Sequence, residues 1–214
     1  MTILFLLTIP LQNFIFAQSS FEGKIKLLVS EEGNKNTIEY MVKDDKIRLE
    51  IADADEVGSM IFDAKTKSMM IMMPEQKMYM EMVFDLTGAD SYFEDDSHSG
   101  KITRTGEKKI IKGYECEKWI AEDEGYRTES WLTDKLGGFM FFGNPMEAAG
   151  SDWKSKLSTP NLFPLLVNVY ESGKLINTIE VIDINKQKLD NSLFSAPSGY
   201  QKLDIPGFNM QNYR

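Results

Sequence analysis

The 214-residue sequence has a single cysteine, Cys116, and a single histidine, His98. No internal disulfide is possible, so the chain must be held together by its core. With one imidazole and one thiol, the acid–base groups left for any catalysis are carboxylates, tyrosines and lysines. Cys116 stands between Glu115 and Glu117, and flanking carboxylates disfavour a thiolate. A small buried strand residue is the expectation for it. Five motif classes are missing: the nucleophile elbow, the phosphate loop, the dinucleotide fingerprint, the paired-histidine zinc helix and paired-cysteine metal spacing. No catalytic residue, metal site or cofactor is therefore expected, and the chain reads as a non-enzyme. Basic residues are in deficit, with 24 Lys and Arg against 33 Asp and Glu, a net charge of −9 and a pI of about 4.8. Nucleic acid and anionic membrane surfaces attract cations, so neither is an expected partner.

Long apolar runs are lacking too, with one exception. Residues 1–17, MTILFLLTIPLQNFIFA, carry no charge, and Ala17 is followed by Gln18-Ser19-Ser20. This reads as a secretory signal peptide cleaved after Ala17, which implies an exported chain, periplasmic or secreted. A membrane anchor is the alternative, but the run is short for one and is broken by Pro10, Gln12 and Asn13. The expected organisation is a signal peptide at 1–17, one β domain at 18–203 and a weakly ordered tail at 204–214, with no transmembrane segment after processing. Repeats, linkers and low-complexity runs are absent.

What the chain does have is alternation. Hydrophobic residues make up 42% and charged residues 27%, an ordinary balance for a folded domain. Phe21, Ile25, Leu27 and Val29 share one face, with Lys24 and Lys26 opposite; Ser30–Lys35 then reads as a turn. A hairpin about Asp44-Asp45 pairs Ile38 with Ile51, Tyr40 with Leu49 and Val42 with Ile47. One wet face and one dry face is the pattern of an antiparallel sheet. Val57–Asp63 continues the meander. Four short strands are predicted at Lys101–Thr105, Lys108–Ile111, Tyr114–Ala121 and Arg127–Thr133, with turns or bulges at Gly106, Gly113 and Gly125. Trp119 and Trp131 do not fall on clean alternating faces. Phe163–Tyr170 and Lys174–Ile182 form a last long hairpin, and Leu193-Phe194 and Pro197–Leu203 close the domain.

The most distinctive stretch is Met69–Met82, MMIMMPEQKMYMEM, with seven of the 13 methionines. Pro74-Glu75-Gln76-Lys77 is turn chemistry, and the register puts Met73 opposite Met78. One face then collects Met69, Ile71, Met73, Met78, Met80 and Met82, while Met70 meets Glu81 and Met72 meets Tyr79. A strand built only to pack favours Val, Ile or Phe. Methionine is flexible, polarizable and suited to varied apolar partners. The face is either an ordinary core or the lining of a ligand site. A third possibility is Cu(I) held by the thioethers of Met78, Met80 and Met82, but no His or Cys reinforces it, and no metal is expected.

Two segments break the alternation. Asp85–Gly100 is acidic and lacks the spacing of a calcium loop, so it reads as a solvated loop. Residues 136–160 contain the apolar run Phe139-Met140-Phe141-Phe142. This run either plugs one face of a curved sheet or anchors a loop through a few aromatics. Pro145–Ala149 can open a short helix capped by Asn144.

The segments FEGKI, YMVKDDKIRLE, MIFDAKTKSMMIMMPEQKMYM, KKIIKGYECEKWIAED and LDNSLFSAPSGYQ together resemble the DUF4412 domain family of exported bacterial proteins, over most of 20–203. That resemblance implies a relation to the periplasmic lipoprotein carriers, half-open β-barrels whose apolar concave face binds acyl chains. No catalytic residue is implied. The combined expectation is an antiparallel, incompletely closed β-barrel of about ten strands, with one or two short helices. It would bind an apolar ligand, a lipid, acyl chain or lipidated protein, at Met69, Ile71, Met73, Met78, Met80, Met82, Phe139, Phe141 and Phe142. The rival expectation is a cell-envelope interaction module whose core is filled by its own side chains.

Overall fold

The computed structural model describes residues 21–31, 33–52, 57–66, 68–83, 101–123, 125–139 and 162–203. The expected signal peptide, the acidic loop, the helix at Pro145–Ala149 and the tail lie outside them.

Hairpins with short turns dominate the chain. Strands β1 (Gly23–Glu31), β2 (Asn34–Lys43), β3 (Lys46–Ala52), β4 (Val57–Asp63), β5 (Ser68–Met73) and β6 (Met78–Val83) form one meander. Strands β7 (Lys101–Ile111), β8 (Tyr114–Asp123), β9 (Tyr126–Thr133), β10 (Phe163–Glu171) and β11 (Lys174–Lys186) form a second. β1 pairs antiparallel with β11 and joins the two. A two-residue strand β12 (Gln201–Lys202) adds in parallel to β6. The result is one 12-stranded mixed sheet, ordered β12-β6-β5-β4-β3-β2-β1-β11-β10-β9-β8-β7, whose end strands do not pair: an incompletely closed barrel.

The strand number slightly exceeds the expected ten or so, and individual strands run longer than predicted because their turns are tight. β1 runs to Glu31 and β2 starts at Asn34, so the predicted turn Ser30–Lys35 shrinks to the residues around Gly33, whose φ of 89° suits glycine. The predicted break at Gly106 is a bulge with φ 75°, so Lys101–Thr105 and Lys108–Ile111 are one strand.

The inner face carries the main core. Ile25, Leu27, Ile38, Tyr40, Val42, Leu49, Phe163, Leu165, Val167, Val169, Ile179 and Val181 pack together with Leu136 and Phe139 from the segment after β9. Tyr40 stacks on Phe139 at 5.7 Å, and Phe163 meets both rings edge-on at 5.2 and 5.1 Å. The Tyr40 hydroxyl donates to the Gly138 carbonyl oxygen at 3.2 Å, which ties the crossover down.

The outer face of β2–β5 is covered as well. Met41 and Ile61 pack against Leu189 and Phe194, with Met70 and Leu193 at the margin. Phe194 belongs to a 3-10 helix, Asn191–Phe194, capped by the Asp190 carboxylate accepting from the Ser192 N–H. Arg48 Nη1 donates to the Leu193 carbonyl oxygen at 2.7 Å, which fixes this segment to the sheet.

Candidate functional site

The methionine hairpin folds in the register its sequence dictates. Met73 pairs with Met78, Ile71 with Met80 and Met69 with Met82, while Met70 meets Glu81 and Met72 meets Tyr79. The turn closes with the Lys77 N–H donating to the Pro74 carbonyl oxygen at 3.2 Å. Alternation puts Met69, Ile71, Met73, Met78, Met80 and Met82 on one face. That face continues the core. One row of partners runs Met80, Ile71, Met60, Leu49, Tyr40, Ile25, and the next runs Met82, Met69, Phe62, Ile47, Val42.

Burial is graded along these rows. Met69 and Met82 are 3% and 8% exposed and pack on Phe62, with Ile47, Met60, Ile71 and Met80 around them. Ile71, Met73, Met78 and Met80 are only half-buried. The cluster meets the central core through Ile47 and Met60, which touch both.

The row of Met73 and Met78 contains a residue that the sequence reading passed over. Gly58 of β4 lies opposite Ile51 and one position beyond the Ser59–Met72 pair, beside Met73. Among the described residues, nothing comes within 4 Å of a Cβ built on Gly58. A glycine near the start of a strand leaves space beside its neighbours' side chains, here Met73. The signal was present as the isolated glycine in Val57-Gly58-Ser59-Met60, inside a predicted strand.

Phe139 sits elsewhere. It is 1% exposed, wedged between Tyr40 and Phe163, and fills the middle of the inner face rather than joining the methionine cluster. Phe141 and Phe142 lie outside the described residues.

Charged groups cluster around β8 and β9. Lys118 Nζ lies 3.1 Å from Glu129 Oε2, and Arg127 bridges Glu129 and Glu122, each at 2.9 Å. Burial pushes the Glu129 carboxyl up, but Lys118 and Arg127 together draw it below the usual carboxylate range. Trp119 pairs with Ser130 and Trp131 with Lys118, so the two indoles occupy opposite faces. Each is covered by a cation from β7, Arg104 at 4.2 Å from Trp119 and Lys109 at 5.6 Å from Trp131. Cys116 is buried at 1% exposure, and burial pushes its thiol up. Among the described residues, no three His, Cys, Asp or Glu side chains converge as metal ligands would, and no helix is long and apolar enough to cross a membrane.

The model of the family described as "Domain of unknown function (DUF4412)" matches residues 21–200. The chain belongs to the DUF4412 family. Among solved structures, the DUF4412 fold is similar to part of PNGF-II. In one crystal form of that protein the TM-score is 0.51 at 19% identity, covering 86% of this chain and 31% of that one. A second form gives 0.52 at 17%, covering 87% and 32%. This chain thus spans about a third of PNGF-II. An uncharacterized conserved protein from Thermus thermophilus is similar over nearly its whole length, with a TM-score of 0.53 at 9% identity, covering 87% of this chain and 91% of that one. At such identities the likeness is one of fold. Neither protein bears a lipoprotein carrier's name, so the carrier relation stays an implication of the family resemblance. No curated protein matches the chain.

Proposed function

We propose that this DUF4412 domain is a non-catalytic, exported protein that holds an apolar chain against the methionine-lined end of its inner face. The guest would be a lipid, an acyl chain or the lipid of a lipidated protein. The observation that carries this reading is the half-buried pair Met73 and Met78 beside Gly58, over which no described residue comes within 4 Å of a Cβ. Thioether side chains can shift to fit guests of varied shape, which close-packed β-branched residues cannot do. The uncharged run before Gln18 supports export. The competing reading is an envelope interaction module with no ligand. It draws support from Leu136 and Phe139, which fill the centre of the inner face with the chain's own atoms.

A paired measurement on Met80→Trp separates the two readings, using a fluorescent fatty-acid analogue and the urea midpoint. A ligand wall predicts that wild type binds the analogue and that the variant loses it with little change in midpoint. Close-packed core predicts no binding by wild type and a loss of about 1–3 kcal/mol from overpacking in the variant; that result would defeat the ligand reading. Export has its own test. N-terminal sequencing of the protein recovered outside the cytoplasm should begin at Gln18, and a membrane-bound product retaining residues 1–17 contradicts it.

A further inference from the structure

The methionine hairpin stands at one end of the sheet, and what covers that end is slight. β12 pairs with only the first two residues of β6, Gln201 with Met78 and Lys202 with Tyr79. The Gln201 N–H donates to the Lys77 carbonyl oxygen at 2.9 Å, and the Leu203 N–H to that of Tyr79 at 2.8 Å. Lys202 Nζ lies 2.9 Å from Glu81 Oε2 in a solvent-exposed ion pair, a weak tie. Both β12 residues are exposed, and among the described residues nothing pairs with this side of β6 beyond Tyr79. Because the Tyr79 carbonyl oxygen points toward β12, the backbone N–H and C=O groups of Glu81 and Val83 point the same way. β6 has none of the lysines, prolines or bulges that blunt a strand edge. β12 also matches its neighbour poorly. The pairing sets Gln201 beside Met78, on the face that is otherwise apolar.

We propose that β12 is a detachable guard of this border. When it lifts, β6 pairs antiparallel with β6 of a second copy, about a twofold axis at Met80. The pleat keeps apolar faces together only in alternate registers. The register centred on Met80 uses the whole strand. It sets Met80 against Met80, Met78 against Met82 and Tyr79 against Glu81. Centring on Glu81 would instead oppose two carboxylates. In the favoured register Met78 exchanges a glutamine neighbour for a methionine. The row of Met60, Ile71 and Met80 runs on into the same row of the copy, which covers side chains left half-buried in the single chain. A contact of this symmetry closes on itself and ends at a dimer. It uses the backbone of β6, so it stands or falls independently of an apolar guest on the methionine face.

The test is cysteine cross-linking of the full-length chain under glutathione disulfide. The native thiol, Cys116, is 1% exposed and stays out of the reaction. In the favoured register the two Met80 Cα atoms stand about 4.5 Å apart, within disulfide reach. Met80→Cys should therefore give a covalent dimer, and Met78→Cys, which faces Met82, should not. Lys202→Gln with Leu203→Pro removes the ion pair and one hydrogen bond of the guard. This double variant should dimerise about tenfold more tightly than wild type in sedimentation velocity, as a larger fraction of chains is open. Adding Glu81→Pro deletes a border N–H and leaves the β5 ladder intact, so it should restore the monomer at an unchanged urea midpoint. No cross-link at Met80→Cys, equal cross-linking at Met78→Cys, a guard variant no tighter than wild type, or association that survives Glu81→Pro would overturn the proposal. The two cysteine variants decide the matter if the guard variant fails to fold.

Discussion

Tyr40, Phe139 and Phe163 show how much a few side chains decide. They stand far apart in sequence and meet as three rings within 5.1–5.7 Å of one another. Phe139 arrives on a segment with little regular structure, so its burial is what attaches that segment to the sheet. Phe139→Ala should cost about 3–5 kcal/mol, as large-to-small changes in a packed core do, read as a fall in the urea midpoint. A loss near zero would mean that the ring only rests on the sheet. The sequence marked Phe139 as an apolar insert in an irregular crossover, but not its destination. Its partners come from β2 and β10, and no local pattern encodes a contact across that separation. Gly58 was passed over, because Met60-Ile61-Phe62 run apolar and leave no clean alternation for the glycine to interrupt. Asn177 was not legible either, because in sequence it is one polar residue among others, and only its burial and unmatched carboxamide set it apart.

At the scale of elements, the hairpins were legible and the irregularities were not. The Met69–Met82 and Ile38–Ile51 registers follow from period-two alternation about a turn, and both hold pair by pair. At Gly106 the sequence left a turn and a bulge both open, and only the continued pairing with β8 decides for the bulge. β12 escaped because two residues carry no periodicity. The β8–β9 pair also carries a titration signature. In the folded chain Glu129 is held below the ordinary 4.5 by Lys118 and Arg127, against the opposing push of burial. Its contribution to stability is therefore complete above that ordinary value and is lost as the pH falls through the lowered one. Urea midpoints recorded from neutral pH down through the carboxylate range should show a shallower acid limb in Glu129→Gln than in wild type. Parallel limbs would mean that the three charges contribute nothing to folding.

For the whole molecule, the pairing of β1 with β11 makes two meanders into one body. The central core draws on both, with Ile25, Tyr40 and Leu49 from the first and Leu165, Val167 and Val181 from the second. Neither half can bury its face alone, so the chain should unfold in a single transition. Trp119, Trp131 and Trp153 all belong to the later part of the sequence, whereas Met41, Met60, Met69 and Met82 report on the first meander. Tryptophan fluorescence and peroxide oxidation of those methionines should give coincident denaturation curves, and separate midpoints would show two independent units. One border of the sheet has a bearing on colloidal behaviour. Among the described residues, nothing pairs with the outer side of β7, which is 11 residues long. That margin is bent at Gly106 and studded with Lys101, Arg104, Lys108 and Lys109, with Lys112 in the turn after it. Two copies that approach along it set like charges against each other across a kinked ladder. Edge-to-edge growth from this border is thus disfavoured at its first step, so crowded copies have less tendency to fuse their sheets there.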